Sequence, residues 1–266
     1  MAEHMMLIDL TKCTGCRACQ VACKEWNGLR AEKTKFNGSY QNPPDLSYDT
    51  WTLVRFDEMK SENSLKKVEW LMRKEGCMHC VDAPCVQACP SPGALVKTPE
   101  GAVVHNPKYC IGCKACVVAC PFDIPRYSPQ EEKIAKCTLC YDRITEGKVP
   151  ACVEACTTGC LEFGPKEDII ARAKARIKEV DASLYPNNGY ETHVIYIVPK
   201  YAKVEEYSHL NPDPKVPSTE LWWKNLFKPL TLIGMGGVAG LAALHYLIKG
   251  PHRVDDKGTE GGDDNG

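Results

Sequence analysis

The chain has almost no net charge: 33 Lys and Arg stand against 34 Asp and Glu in 266 residues, a formal balance of −1. So balanced a surface lacks the basic patch that a nucleic-acid partner requires, and no such partner is expected. The N-terminus has no basic, apolar and small-residue series of a secretory signal. No stretch before the C-terminal region is apolar enough to cross a bilayer. There is no glycine-rich phosphate loop, no nucleotide site, and no side-chain grouping that reads as a catalytic acid, base or nucleophile. The length allows one or two domains.

Cysteine, by contrast, is abundant, and sixteen of the 17 residues fall into four quartets. Cys13, Cys16, Cys19 and Cys23 read C-x2-C-x2-C-x3-C, and Cys110, Cys113, Cys116 and Cys120 repeat that spacing. Cys77, Cys80, Cys85 and Cys89 read C-x2-C-x4-C-x3-C; Cys137, Cys140, Cys152 and Cys156 read C-x2-C-x11-C-x3-C. This is ferredoxin-like ligand spacing, and four quartets imply four [4Fe–4S] clusters. Three thiolates of one tight loop reach three corners of the cube. The fourth cysteine points away and serves the partner cluster, often with a proline after it. Pro90 follows Cys89 and Pro121 follows Cys120.

Applied here, the swap assigns Cys77, Cys80, Cys85 and Cys120 to one cluster, and Cys110, Cys113, Cys116 and Cys89 to its partner. These two form an inner unit at about 77–121. The remaining quartets form an outer unit, about 6–26 with 133–165, around it. Cys13, Cys16, Cys19 and Cys156 hold one outer cluster; Cys137, Cys140, Cys152 and Cys23 hold the other. The expected fold class is α+β: two nested ferredoxin-like units binding four clusters, plus one C-terminal transmembrane helix.

A disulfide framework suits small secreted scaffolds, not a chain of this size. Structural zinc prefers two separated pairs, which only the last quartet resembles. Cys160, left over, reads as a small buried hydrophobe beside a cluster rather than a ligand. Apolar residues are spread thinly around the cysteines, so the clusters are expected to supply much of the core, and metal removal to unfold it. His79 lies within a ligand loop and is the best candidate to tune a cluster potential. Arg17, Lys114, Lys136 and Arg143 read individually as solvated surface charges.

Along the chain, Met6–Leu10 reads as a strand and 17–26 as a helix. A polar loop follows over 27–50. Trp51–Phe56 with Val68–Met72, and Ala94–Lys97 with Ala102–His105, alternate as hairpins. Helical turns are expected after Cys85, Cys116 and Cys152. Ile169, Ile170, Ala173, Ile177 and Val180 form a helical stripe expected to pack on the cluster head. His193–Val198 reads as a further strand. The head thus spans 1–210, with a proline-stiffened linker over 211–220.

The composition then changes. Pro229 to Ile248 contains no Asp, Glu, Lys or Arg and matches the roughly 20 residues that cross a bilayer. Trp222, Trp223 and Tyr246 sit where interfacial aromatics belong, so 221–249 reads as a single membrane helix. Gly236 and Gly240 at G-x-x-x-G spacing suit close packing on other membrane helices. His245 is an intramembrane candidate, read as an interfacial or hydrogen-bonding group rather than a haem ligand. Lys249, Arg253 and Lys257 after the span outweigh Lys224 and Lys228 before it, leaving the tail cytoplasmic and the head outside. Residues 250–266 read as an acidic, glycine-rich disordered tail.

The segments LIDLTKCTGCRACQVACKEWN, EWLMRKEGCMHC, CIGCKAC, CPFDIPR, KCTLCYDR and PACVEAC, with FKPLTLIG and LHYLIKGP near the C-terminus, resemble the iron–sulfur beta subunit of membrane-bound respiratory formate dehydrogenase. The resemblance runs from about residue 6 to 255. It implies a non-catalytic electron-transfer subunit in a prokaryotic cytoplasmic membrane, with its head on the periplasmic side. Electrons would come from a molybdenum or tungsten pterin (alpha) subunit and leave to a cytochrome b (gamma) subunit and quinone. The family usually has proline and alanine where this chain has Thr157 and Cys160. The rival reading is the equivalent subunit of a membrane hydrogenase or another molybdopterin oxidoreductase; a zinc-stapled binding module is a different class.

Overall fold

A computed structural model describes residues 3–36, 38–61, 67–216 and 228–250. The chain divides into two compact units, Met1–Glu220 and Leu221–Gly266. The first is built on strand β1 (His4–Asp9), whose apolar run Met5–Ile8 is buried on both faces. A single turn, Leu10–Lys12, and helix α1 (Ala18–Trp26) follow. Next come the hairpin β2 (Leu53–Lys60) and β3 (Val68–Glu75), and the short helix α2 (Pro84–Gln87). The hairpin β4 (Leu95–Lys97) and β5 (Val103–His105) leads to α3 (Ala115–Ala119). A third hairpin, β6 (Arg126–Ser128) and β7 (Lys133–Ala135), precedes α4 (Tyr141–Thr145) and α5 (Ala151–Glu154). Strand β8 (Leu161–Pro165), helix α6 (Lys166–Glu179) and strands β9 (Ala182–Tyr185) and β10 (Val194–Pro199) complete the unit.

The four-stranded sheet has the order β8-β1-β10-β9, with β1 parallel to β10 and antiparallel to β8. Because side chains alternate along a strand, β1 serves two layers. Met5 and Leu7 pack with Ile169 and Ala173 of α6, together with Ala182 and Ile197. Met6 and Ile8 join the other, larger core, which contains Cys19, Cys80, Cys85, Cys116 and Cys152. The α6 stripe therefore packs on the head through its sheet. It covers the far face of the sheet, because β1 lies between it and the cysteine-bearing core.

The β2–β3 ladder runs from Leu53↔Glu75 to Lys60↔Val68, longer than the alternation alone indicates. Its buried end carries Arg55, Arg73, Lys74 and Glu75, four charged side chains under 5 % exposed. The three-residue strands β6 and β7 and the edge strand β8 went unread in the sequence. Elements that short have no periodicity to detect.

In the second unit, helix α7 (Lys228–Lys249) has 22 residues. His245 lies on it and is exposed, as are Leu241, Leu244 and Leu247. Among the described residues no helix is long and apolar enough to cross a membrane. Of the expected span 221–249, residues 221–227 lie outside the described residues, as do 217–220 of the linker and 251–266 of the tail.

Candidate metal centres

All seventeen cysteines are free thiols, and eight are buried: Cys19, Cys23, Cys80, Cys85, Cys116, Cys140, Cys152 and Cys160. One local device recurs. Cys19, Cys85, Cys116 and Cys152 are each the second residue of a short helix: α1, α2, α3 and α5. Cys23, Cys89, Cys120 and Cys156 each follow four residues later, on or just past the same helix. Side chains four apart stand on one face, about 5–6 Å between Cβ atoms. Each helix thus presents one thiol to the loop before it and one to a neighbour. The helices pack in two pairs, α2 on α3 and α1 on α5.

The loops ahead of the helices repeat as well. Arg17 and Lys114 both cap their helices in the left-handed conformation, at φ 63° with ψ 7° and 4°. Gly112, at φ +68°, is required rather than convenient, since a Cβ there would stand 2.2 Å from the carbonyl oxygen of Glu132.

Two cavities result in the inner unit. One is lined by Cys89, Cys110, Cys113 and Cys116, with His105 and Ile134. The other is lined by Cys77, Cys80, Cys85 and Cys120, with Phe122, Ile124 and Lys136. Each lining thus takes one cysteine, Cys89 or Cys120, from the other quartet. The outer cysteines gather in the same manner. Cys19 is pushed up to about 12 by burial, then by Cys152, Cys13 and Cys16. Cys23 is raised by burial and by Cys137 and Cys152. Cys140 reaches about 12 through burial, Cys137 and Cys152. Cys156 sits with Cys13 and Cys19 around Cys160.

Were they ionised together, these buried groups would be desolvated and mutually repulsive. Such a donor set is stabilised by a cation that takes up its charge, which is what a thiolate-ligated cluster does. The residues fit four-cysteine iron–sulfur sites. Charge also acts between groups: Cys85 raises Cys116, Cys137 raises Cys77, and Cys152 raises Cys19.

Buried cations accompany the thiols. Lys136 and Arg143, read from sequence as solvated charges, are 2 % and 7 % exposed. Arg143 lies over Trp26 and pairs with Glu154, whereas Arg17 and Lys114 lie over Phe56 and Tyr127. Lys74, missed in the sequence, is 4 % exposed. Burial alone would pull its pKa down, but the thiolates of Cys152 and Cys137 raise it overall. The available signal was its place in R-K-E-G-C, directly before a cysteine loop: buried thiolates need countercharge.

His79 is fully buried. Its Nδ1 accepts the Val103 N–H at 2.9 Å, which puts the ring proton on Nε2, and among the described residues Nε2 has no hydrogen-bond partner. Burial, then Lys136, holds its pKa well below the ordinary value, so the ring stays neutral. Cys160 is 3 % exposed and donates to the Cys13 thiolate, lowering Cys13 to about 7. Away from the cysteines, Asp45, Glu75 and His209 come close enough to share an ion. Arg55 already bridges the two carboxylates, so that group is an ion-pair network.

Known proteins agree with this geometry. Residues 68–166 and 12–94 each match the model of a 4Fe-4S dicluster domain, and residues 217–258 match "Formate dehydrogenase N, transmembrane". The class is thus an iron–sulfur protein of the dicluster type. The chain is 42% identical over 262 residues to the formate dehydrogenase-O iron-sulfur subunit of Escherichia coli, covering 96% of this chain and 86% of that protein. It is also 42% identical to the formate dehydrogenase iron-sulfur subunit of Haemophilus influenzae, over 96% and 83% of the two chains. Identity to the formate dehydrogenase 2 subunit beta (cytochrome c-553) of Nitratidesulfovibrio vulgaris is 38%, over 76% and 94%. The chain belongs to the family of formate dehydrogenase iron–sulfur subunits.

Proposed function

We propose that this chain is the electron-carrying subunit of a membrane-bound formate dehydrogenase and holds four [4Fe–4S] clusters in a row. A [4Fe–4S] cluster supplies reversible one-electron storage when bound. The ligand sets are Cys89, Cys110, Cys113 and Cys116; Cys77, Cys80, Cys85 and Cys120; Cys23, Cys137, Cys140 and Cys152; and Cys13, Cys16, Cys19 and Cys156. The observation that carries the reading is the pair of cavities whose cysteines come from two different quartets each. An order in which these groups follow one another is supported by the charge that Cys85 exerts on Cys116, Cys137 on Cys77 and Cys152 on Cys19.

The inner unit, about 77–121, lies at one end of the row; the outer unit, about 6–26 with 133–165, lies at the other. Cys113 and Cys16, one in each end group, are the two cysteines exposed to solvent. Near them Ile111, Val118 and Val21 are exposed apolar side chains, suited to cover by partners. The donor is a molybdenum or tungsten pterin subunit, and the acceptor a cytochrome b that reduces quinone. His79, with its buried Nε2–H, tunes a neighbouring site.

Residues 221–249 cross the cytoplasmic membrane once, with the head on the periplasmic side. Support comes from the charge-free run Pro229–Ile248 and the match of 217–258 to a transmembrane family model. His245 is the hydrogen-bonding group of that span. The chain itself carries no catalytic residue.

The test is anaerobic purification of the chain from membranes in mild detergent, with dye reduction by formate and by hydrogen. Formate activity with a co-purifying pterin subunit and a cytochrome b is the expected result. Hydrogen activity alone would assign the row to a hydrogenase. Formate oxidation by the chain free of partners would overturn the non-catalytic role.

A further inference from the structure

One buried cation stands between the two ferredoxin-like units. Lys136 follows β7 and immediately precedes Cys137. Its side chain, 2 % exposed, borders the cavity lined by Cys77, Cys80, Cys85 and Cys120. Its Nζ donates to the carbonyl of Val103 and, at 3.0 Å, to the carbonyl of Cys137. An ammonium has three donors, so one remains for the sulfur-lined cavity. Among the described residues no carboxylate pairs with it. An ammonium this deep is strongly destabilised unless anionic charge lies close by. The sulfurs of the junction are that charge: Cys77, Cys80, Cys85 and Cys120 line the same cavity as Lys136, and Cys137 follows it in the chain. Lys136 thus touches the cavity of one group and the backbone of a ligand of the next.

We propose that Lys136 is a positioning residue for electron transfer: a fixed positive charge at the junction of the inner and outer units that holds up the reduction potentials of both flanking sites. The proposal rests on the ligand sets given above. Accepting an electron adds one negative charge to a site, and transfer across the junction moves that one electron with no proton. A cation shared by both sites favours the reduced form of each and weakens the repulsion between them. The two end groups do not border Lys136, and the effect on them is smaller.

The experiment uses the intact complex, prepared anaerobically as wild type, Lys136→Gln and Lys136→Arg. Iron per chain is counted, and the clusters are titrated by EPR at controlled potential. Glutamine retains a neutral donor for the two carbonyls and removes the charge; arginine keeps the charge. In K136Q two of the four midpoints should fall enough to lower the reduced fraction at fixed poise about tenfold, which is 59 mV for a one-electron couple. The other two should hold, and K136R should stay near wild type. Four unchanged midpoints in K136Q would overturn the proposal. So would an equal fall in K136R, or loss of iron from both variants, which would give Lys136 a folding role. Fewer than four clusters in the wild type would overturn the ligand sets themselves, and the proposal with them.

Discussion

Gly112 offers a test of how tightly the backbone defines a cysteine loop. It lies between Cys110 and Cys113 at φ +68°, and Gly159 occupies almost the same conformation at φ +64° beside Cys160. Any residue with a Cβ loses about 1–2 kcal/mol in the left-handed region. Replacing glycine by alanine also restricts the unfolded chain, which returns about 0.4–1 kcal/mol. At Gly159 nothing lies within 4 Å of the new Cβ, so Gly159→Ala should cost about 1 kcal/mol net. At Gly112 the Cβ would stand 2.2 Å from Glu132 O and 3.3 Å from Tyr127 Cε2. Glu132 belongs to the turn of the β6–β7 hairpin and is itself at φ 50°, so neither backbone yields easily. The hairpin or the loop must shift by about 1 Å, and such overpacking adds about 1–3 kcal/mol. The total for Gly112→Ala is about 2–4 kcal/mol. At about 2–4 °C per kcal/mol, the anaerobic melting point should fall by about 2–4 °C for Gly159→Ala and by roughly 4–16 °C for Gly112→Ala. Melting is followed by bleaching of visible absorption, with iron counted beforehand. Because the shift passes to Cys110, Cys113 and Cys116, Gly112→Ala should also lose up to one cluster's iron. A Gly112→Ala chain that keeps its iron and melts with Gly159→Ala would refute the argument.

Anaerobic chelation of the iron should abolish the cooperative melting transition of residues 3–216, read by circular dichroism, because metal binding and folding are coupled where the ligand thiols line the core; a sharp transition in the metal-free chain would contradict this. Cys160→Ala should leave the iron content unchanged, since Cys160 donates to Cys13 rather than replacing it; loss of one cluster's iron would make it a ligand. Glu3 accepts from Lys166 at 2.8 Å and meets His193 Nε2 at 2.5 Å, and these bonds hold its pKa at about 2 instead of 4.5. The unfolded chain takes up that proton as the pH falls below 4.5, while the folded chain resists until about 2. The stabilisation is therefore complete above pH 4.5 and is lost toward pH 2. The stability difference between wild type and Glu3→Gln should be present at pH 7 and shrink across that window; a difference independent of pH would contradict the assignment.

Much of the site was legible in the sequence for a local reason. C-x2-C-x2-C-x3-C encodes a loop and the first turn of a helix, so residues four apart share a face wherever the helix lies. The hairpin at 53–75, helix α6 and strand β10 were readable because their apolar periods run long enough, and the short hairpin at 95–105 because Thr98–Gly101 splits its two apolar runs. Other features had no local signal. Nothing near Lys136 states that its side chain is buried; that follows from how β5 and a cysteine-lined cavity pack around it. Nor could the α6 stripe indicate which layer it covers, since Met5–Ile8 is apolar throughout and both faces of β1 look alike.

The sequence by itself determined the chemistry, since quartets of cysteine at this spacing are iron–sulfur ligand sets, and the same spacing names which quartets can share a site. Only the tertiary structure decided which charged side chains are sealed beside those thiols. Lys136 and Val103 stand far apart in the chain and are brought together by packing rather than by spacing.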